Sequence, residues 1–373
     1  MADPAPPPVR VLINALHSKS GGGVTYLNNI LPRLAADPRF ELHLALHRGQ
    51  LELFEPLADH ARLHIFDFRP GLARTVMWDQ LVLPLAARMM SADLVYSPAN
   101  YGPLLSGASV VLVRNALAVA TQEARLGKIL YWVVVAGMTW LSLLTARRAV
   151  AVSDYTVRSL TRWPFGRLRR KMTVVHHGVS DVFRPDPATP RDDVLFAVGD
   201  LYIQKNYHTL IEAFAGLAAR RPGLRLEIAG QPLDPAYAAR LARRVEELGL
   251  GGRVAFLGHV PPAALADRYR RCRLFVFPST VETFGNPLVE AMACGTPIAC
   301  SDRTAMPEIA GDAVVYFDPA DSASIAGAVD RLLDDEPLRD RMAARPGERA
   351  RAISWESNAR QLADILVGAA RRA

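Results

Sequence analysis

Leu274-Phe275-Val276-Phe277-Pro278-Ser279-Thr280-Val281-Glu282-Thr283-Phe284-Gly285-Asn286-Pro287-Leu288-Val289-Glu290-Ala291-Met292-Ala293-Cys294-Gly295 is the stretch on which the reading of this chain turns. Its opening apolar run, Leu274 to Phe277 closed by Pro278, reads as a short strand buried on both faces. Asn286 reads as a helix N-cap, Pro287 as the first helical position and Gly295 as the stop. A strand covered on both sides and followed at once by a helix is the repeating unit of a parallel sheet. Two carboxylates, Glu282 and Glu290, frame the turn, and this cap assignment puts Glu290 in the first helical turn.

Backbone amides at a helix start carry partial positive charge, so the turn Phe284-Gly285-Asn286 suits a phosphate. Gly285 allows close approach. The flanking carboxylates cannot favour a phosphate, but they accept hydrogen bonds from hydroxyls. Phosphate and hydroxyls together describe a sugar nucleotide. In the plainer reading Glu290 complements the helix dipole and Glu282 is a solvated loop charge.

Working outward, the same unit recurs. Val9 to Asn14 reads as a first buried strand, followed by Gly21-Gly22-Gly23 and a helix from about Val24 to Ala36. The glycine spacing does not match a dinucleotide fingerprint. Further strands are expected at 41–46, 62–68, 93–97 and 109–113, with a helix over 75–90 and others between them. Phe183-Arg184-Pro185-Asp186-Pro187-Ala188-Thr189-Pro190 can continue neither a helix nor a central strand, and marks a domain boundary. A second alternating series follows: a strand over 194–198 ending at Gly199, a helix over 207–220, and strands ending at Gly230 and Gly258. The expected organisation is a lead-in at 1–8, a domain at 9–185, a second at 186–350 and a closing helical segment at 351–373.

The residues 282–297, ETFGNPLVEAMACGTP, resemble the signature of the retaining, sugar-nucleotide-dependent glycosyltransferases of the GT-B type, glycosyltransferase family 4 or group 1, with its Glu-x7-Glu pair. The resemblance implies an α/β fold of two Rossmann-like doubly wound domains facing each other across a cleft. It implies that Glu290 holds the nucleotide ribose and that Glu282, with Thr283, Phe284, Gly285 and Asn286, meets the donor sugar and phosphate. Gly199 to Asn206 is similar to the family's phosphate loop, in which Lys205 meets the diphosphate. Gly258, His259 and Val260 are expected near the nucleobase, and Gly22 and Gly23 beside the donor. In relatives the last helix crosses back to the first domain.

Two departures stand out. Relatives place an arginine where this chain has Asp200, and many have His-Asp where it has Arg114-Asn115. A carboxylate at 200 either turns away from the diphosphate or is offset by Arg114 or Lys19. Arg114 is thus a candidate for steadying an anionic acceptor or the departing diphosphate. No Asp-x-Asp clamp for a divalent metal is present, so the leaving charge falls to Lys205 and helix-end amides, with no cofactor beyond the donor itself. In this family the leaving phosphate is thought to deprotonate the acceptor on the same face, which retains the anomeric configuration and needs no general base.

The chain has 373 residues, is half apolar and has three cysteines without metal spacing, which fits two ordinary cores with reduced thiols in a cytoplasmic setting. The proline-rich start has no apolar run and does not read as a secretory signal. The net charge of +7 is concentrated from Arg147 to Lys171, where aromatics are interleaved. No nucleic-acid motif accompanies these cations, so an anionic membrane surface is the better partner. Just before them, residues 129–146 carry no charge; lying between two strands of one sheet, they read as a buried core helix, with partial insertion into a membrane face as the alternative. These features favour a hexosyltransferase, of mannose, rhamnose or glucose type, acting on a lipid-linked or growing saccharide in surface polysaccharide synthesis, peripheral on the inner face of the plasma membrane. A soluble acceptor, a sugar-nucleotide epimerase and a non-catalytic scaffold of the same shape are the rivals. His176 and His177 read as packing or hinge residues.

Overall fold

The structure, a computed structural model, describes residues 6–18, 21–69, 71–114, 126–162 and 164–371. Asn115, Lys19 and Trp163 lie outside the described residues. The chain forms two compact units, Met1–Gly178 with Trp355–Ala373, and Val179–Ser354.

In the first unit the elements run β1 (Val9–Asn14), α1 (Gly22–Ala35), β2 (Phe40–His47), α2 (Leu51–Phe54), β3 (Arg62–Phe66), α3 (Leu72–Met77), a π-helical segment (Trp78–Val82), α4 (Leu83–Met89), β4 (Leu94–Ser97), β5 (Ser109–Val113), α5 (Leu126–Thr145), β6 (Arg148–Ala151), α6 (Asp154–Leu160) and β7 (Met172–Val174). Its sheet has the order β3-β2-β1-β4-β5-β6-β7, with every described pairing parallel. The second unit runs β8 (Asp192–Val198), α7 (Tyr207–Arg220), β9 (Arg225–Ala229), α8 (Pro235–Glu247), β10 (Val254–Gly258), α9 (Pro262–Arg271), β11 (Cys272–Phe277), α10 (Asn286–Ala293), β12 (Ile298–Ser301), α11 (Met306–Ala310), β13 (Val315–Phe317), α12 (Ser322–Asp334) and α13 (Glu336–Arg351). Its sheet is β10-β9-β8-β11-β12-β13, again parallel in every described pairing. The last helix, α14 (Trp355–Ala370), groups with the first unit. Each unit is therefore a doubly wound α/β sheet, the Rossmann-like arrangement expected of GT-B.

The reasons are local. The core strands β1, β5 and β11 are apolar on both faces, so helices must cover both. Helix α7 buries Leu210, Ile211, Phe214 and Leu217 at spacings of three and four, against Leu195, Leu226 and Leu274 of the sheet. In each sheet the strand order reverses once, between β1 and β4 and between β8 and β11. Loops leaving the carboxyl ends of those neighbours diverge and leave a crevice there.

Several local expectations are corrected. The cap of α10 is Gly285, at φ 80°, and Asn286 is the first helical residue. Pro287 follows Asn286 inside the helix, and Glu290 falls beyond the first turn. Helix α1 begins at Gly22, two residues before Val24. The helix expected over 75–90 is present as a continuous helical run from Leu72 to Met89, with a π segment at Trp78–Val82 inside it. Helix α5 is buried on one face only: Val135, Thr139, Ser142 and Leu143 are buried, while Val133, Val134, Leu141 and Leu144 are 46–60% exposed. The three cysteines are buried and unpaired.

Helix α14 is held by Arg33 on Glu356, Arg39 on Asp364, and Asn358 donating to the His176 carbonyl at 2.6 Å. His177 packs with Tyr26 and Trp355, which fits a packing role. Gly178 lies directly against this helix: a Cβ there would sit 2.2 Å from the Trp355 amide nitrogen, which is backbone and cannot swing aside. Gly178→Ala is expected to destabilise the fold by about 1–3 kcal/mol, measured by chemical denaturation. An unchanged midpoint would mean that this contact relaxes freely.

Candidate functional site

In the second unit the crevice between β8 and β11 gathers most of the singled-out residues. Strand β8 is followed by Gly199, whose φ of 146° is open to glycine. A Cβ at 199 would meet Lys205 Cε at 2.8 Å and Nζ at 3.0 Å, so the lysine stem lies flat across this glycine. The chain then turns through Ile203–Lys205 and Asn206, a residue with φ 58°. Asn206 accepts that unfavourable backbone because its amide is fully used: it donates to the Pro278 and Pro319 carbonyls at 3.1 and 2.7 Å and accepts from the Thr209 hydroxyl. Thr280 donates from its amide to the Gln204 carbonyl at 2.9 Å. The loop after β8 is thereby tied to the loop after β11.

Lys205 Nζ donates to Glu282 Oε1 at 2.6 Å, with only 15% and 16% of the two side chains exposed. The ammonium also stands 5.7 Å from the Phe277 ring centroid. Glu282 is fixed at its backbone, where its amide donates to Thr304 Oγ1 at 3.1 Å. At Gly285 a Cβ would stand 3.1–3.2 Å from Phe277 and Met306, a tight contact added to the positive φ that favours glycine. Phe284 is buried beneath the turn.

Glu290, one helical turn beyond Asn286, accepts a 3.0 Å hydrogen bond from the fully buried Tyr269 hydroxyl. Burial pushes its carboxyl up to about 7; the Tyr269 bond and the Lys205 charge oppose that rise and do not cancel it. The group therefore titrates near neutrality. The strand ends beyond β8 belong to the same edge. Gly230 donates to the Gly258 carbonyl at 2.8 Å, and a Cβ at 230 would lie 2.1 Å from the Gly199 carbonyl oxygen. His259 and Val260 follow at the end of β10, His259 exposed. Asp200, the departure noted above, accepts from the Gln231 amide at 2.9 Å. Its carboxylate is thus engaged at the end of β9.

The first unit has its own polar crevice, between β1 and β4. Asp79, carried by the π segment and fully buried, accepts from the Asn14 amide group and from Gln80 at 2.6 Å, and lies 3.5 Å from His17 Nε2. Gly22 opens α1, and over Gly23 lie the Arg114 guanidinium and Ser18 Oγ, each within about 3 Å of where a Cβ would be. Arg114 faces the hydrogen-bonded hydroxyls of Tyr26 and Tyr96, 2.6 Å apart, and burial holds its guanidinium below its ordinary value. The structure thus places Gly22, Gly23 and Arg114 together in one unit, and Gly199, Lys205, Gly258, Glu282, Gly285 and Glu290 in the other.

Sequence reasoning passed over Tyr269 and Thr304, and named Asn206 only as the end of the phosphate loop. Asn206 had a visible signal, an asparagine directly before a helix. Tyr269 and Thr304 had none, since only the tertiary fold brings them to the two glutamates.

Residues 180–349 match the family model described as "Glycosyl transferases group 1". The chain is 41% identical over 106 residues to O-antigen chain mannosyltransferase B of Escherichia coli, covering 28% of each chain. The curated relatives it matches are spanned over less than half their own length, from 20% to 48%. Among solved structures, sucrose-phosphate synthase from Thermosynechococcus elongatus superposes with a TM-score of 0.77 at 20% identity, over 98% of this chain and 100% of that one. Anabaena HepE, in complex with UDP and glucose, gives 0.75 at 19% identity, over 96% and 100%. Residues 180–349 are thus similar to the glycosyl transferases group 1, within a chain whose fold is that of the GT-B glycosyltransferases.

Proposed function

We propose that this protein transfers a hexose from a nucleoside diphosphate sugar to a hydroxyl of a lipid-linked or growing saccharide, with retention at the anomeric carbon and without a metal. The observation that carries the reading is the Lys205–Glu282 pair at the β8/β11 crevice, with Glu290 beside it on Tyr269. An ammonium laid across a glycine at a strand end is placed to take a diphosphate. A donor diphosphate competes with Glu282 for Lys205, which frees the Glu282 carboxylate to accept a hydrogen bond from the sugar. Glu290 takes the ribose, and Gly258 to Val260 lie toward the base.

Support for the donor class comes from HepE, whose structure holds UDP and glucose. Support for a hexose of mannose type, and for a surface polysaccharide as product, comes from the O-antigen chain mannosyltransferase. As the leaving diphosphate departs, Lys205 and the amides at the start of α10 neutralise it. Its oxygen takes the acceptor proton on the same face, so retention follows without a protein base.

The test is a panel of sugar nucleotides incubated without acceptor. Slow release of nucleoside diphosphate from one of them supports transfer. Interconversion of the sugar would indicate an epimerase, and inertness across the panel a scaffold. Proton couplings at the new anomeric centre then check retention.

Arg114, with Gly22 and Gly23 at the start of α1, is assigned to an anionic acceptor group or the leaving diphosphate. Arg114→Ala is expected to raise the donor dissociation constant or the acceptor KM by about tenfold or more. Both unchanged would leave Arg114 as packing for Tyr26 and Tyr96. The exposed cations Arg167, Arg169 and Arg170 are assigned to anionic lipid headgroups on the side from which a lipid-linked acceptor arrives. No described helix is long and apolar enough to cross a membrane.

A further inference from the structure

Helices α3 and α4 carry an apolar ridge that the transfer reaction does not use. Met77, Leu81, Leu85 and Met89 are 48%, 64%, 57% and 79% exposed. They recur every four residues, a spacing that drifts around a helix of about 3.6 residues per turn. The wider turn of the π segment Trp78–Val82 counters that drift and keeps the four in line. Exposed arginines, Arg74 and Arg88, flank the ridge toward its two ends.

The loop after β4 ties the ridge-bearing segment to α5, and both the loop and α5 carry further exposed apolar residues. Gln80 holds the loop after β4 from one side, donating to the Gly102 carbonyl at 3.1 Å and accepting from the Leu104 amide at 3.0 Å. Ser142 of α5 holds the same Gly102 from the other, bonding to both its amide and its carbonyl. Leu105, 70% exposed, lies in that loop, and beyond it come Val133, Val134, Leu141 and Leu144 of α5. Lys171, at the end of the basic segment, donates to the Leu144 and Ala146 carbonyls, which fixes the cations beside α5. The acid of α3, the π segment and α4 is Asp79, which is fully buried, and α5 has none.

We propose that this face, with the α3–α4 ridge as its centre, is where the protein docks on an anionic lipid bilayer, the ridge entering the acyl boundary and the arginines meeting headgroups. The proposal deepens the lipid-linked-acceptor reading and rests on it. Charge decides the occupant. A second copy docking by the same face would set arginine against arginine with no exposed acid on these helices to offset them, whereas anionic headgroups neutralise both ends.

The experiment is sedimentation of the full chain with phosphatidylcholine vesicles, with and without phosphatidylglycerol. The unaltered protein is expected to sediment with the anionic vesicles only. Leu81→Glu with Leu85→Glu is expected to reduce that binding about tenfold or more, with melting temperature and nucleoside diphosphate binding unchanged. Leu233→Glu, at a half-exposed leucine of the second unit, leaves sedimentation as it was. Should the double variant melt early, Met89→Glu, at the most exposed ridge position, repeats the test. Sedimentation of the ridge variants like the unaltered protein overturns the proposal, as does an unaltered protein that ignores anionic vesicles. So does a ridge-dependent dimer in solution, which would assign the face to a second copy. Donor hydrolysis without acceptor, measured on the same variants, keeps the two readings apart: it survives if only the membrane face is wrong, and is absent throughout if the transferase reading is wrong.

Discussion

Lys205→Ala is expected to lower kcat/KM for transfer by about a thousandfold, because it removes the ammonium paired with Glu282 at the β8/β11 crevice where charge builds on the leaving diphosphate. The same change has a cost in the unliganded fold. Glu282, 16% exposed, loses the 2.6 Å partner that offsets its desolvation, which destabilises the protein by about 1–3 kcal/mol. The two effects separate in the double variant Lys205→Ala with Glu282→Ala. Removing both partners is expected to restore most of the melting temperature and none of the transfer. A single variant that transfers within tenfold of the unaltered protein would remove Lys205 from the site.

Glu290→Gln is expected to act with opposite sign on binding and on stability. Donor binding weakens by about tenfold or more, because a carboxylate accepting from two ribose hydroxyls is replaced by a neutral amide. Since burial places the Glu290 carboxyl at about 7, donor affinity of the unaltered protein rises with pH through that value. In the Gln variant that dependence is flattened. Stability moves the other way. A carboxyl raised from 4.5 to about 7 in the folded state keeps its proton longer than in the unfolded state, so its contribution is favourable at low pH and is lost as pH rises from about 4.5 to about 7. Glu290→Gln is therefore expected to match the unaltered protein in stability near pH 4 and to exceed it at pH 8. A variant less stable at pH 8, or a donor affinity indifferent to pH between 6 and 8, would place Glu290 elsewhere than at the ribose.

Much of the site was readable because it is written in local grammar. Gly199 and the apolar run of β11 declare strand ends by themselves, Gly285 stands at a helix start, and Lys205 stands just before a helix start that can be read from α7's periodicity. The cap was misread for an equally local reason: Asn286 is a good capping residue, but Gly285 is the residue able to take φ 80° beneath Phe277 and Met306. Helix α5 was misread because an uncharged stretch looks buried from every side. Two of its hydroxyls, Thr139 and Ser142, face inward beside Val135 and Leu143, one bonded within its own helix and the other to Gly102, while Val133, Val134, Leu141 and Leu144 face outward.

Taken alone, the sequence determined the two doubly wound sheets, since apolar strands alternating with amphipathic helices leave a chain few other ways to bury both strand faces. It also determined which loops carry glycine and charge. Only the tertiary structure decided that Lys205 closes on Glu282, that Asp200 is engaged by the Gln231 amide, that the buried Tyr269 of α9 reaches Glu290 with its hydroxyl, and that four apolar side chains of α3, the π segment and α4 face solvent. Those pairings join residues far apart in the chain, where geometry depends on how sheets and helices pack, and no local preference reaches that far.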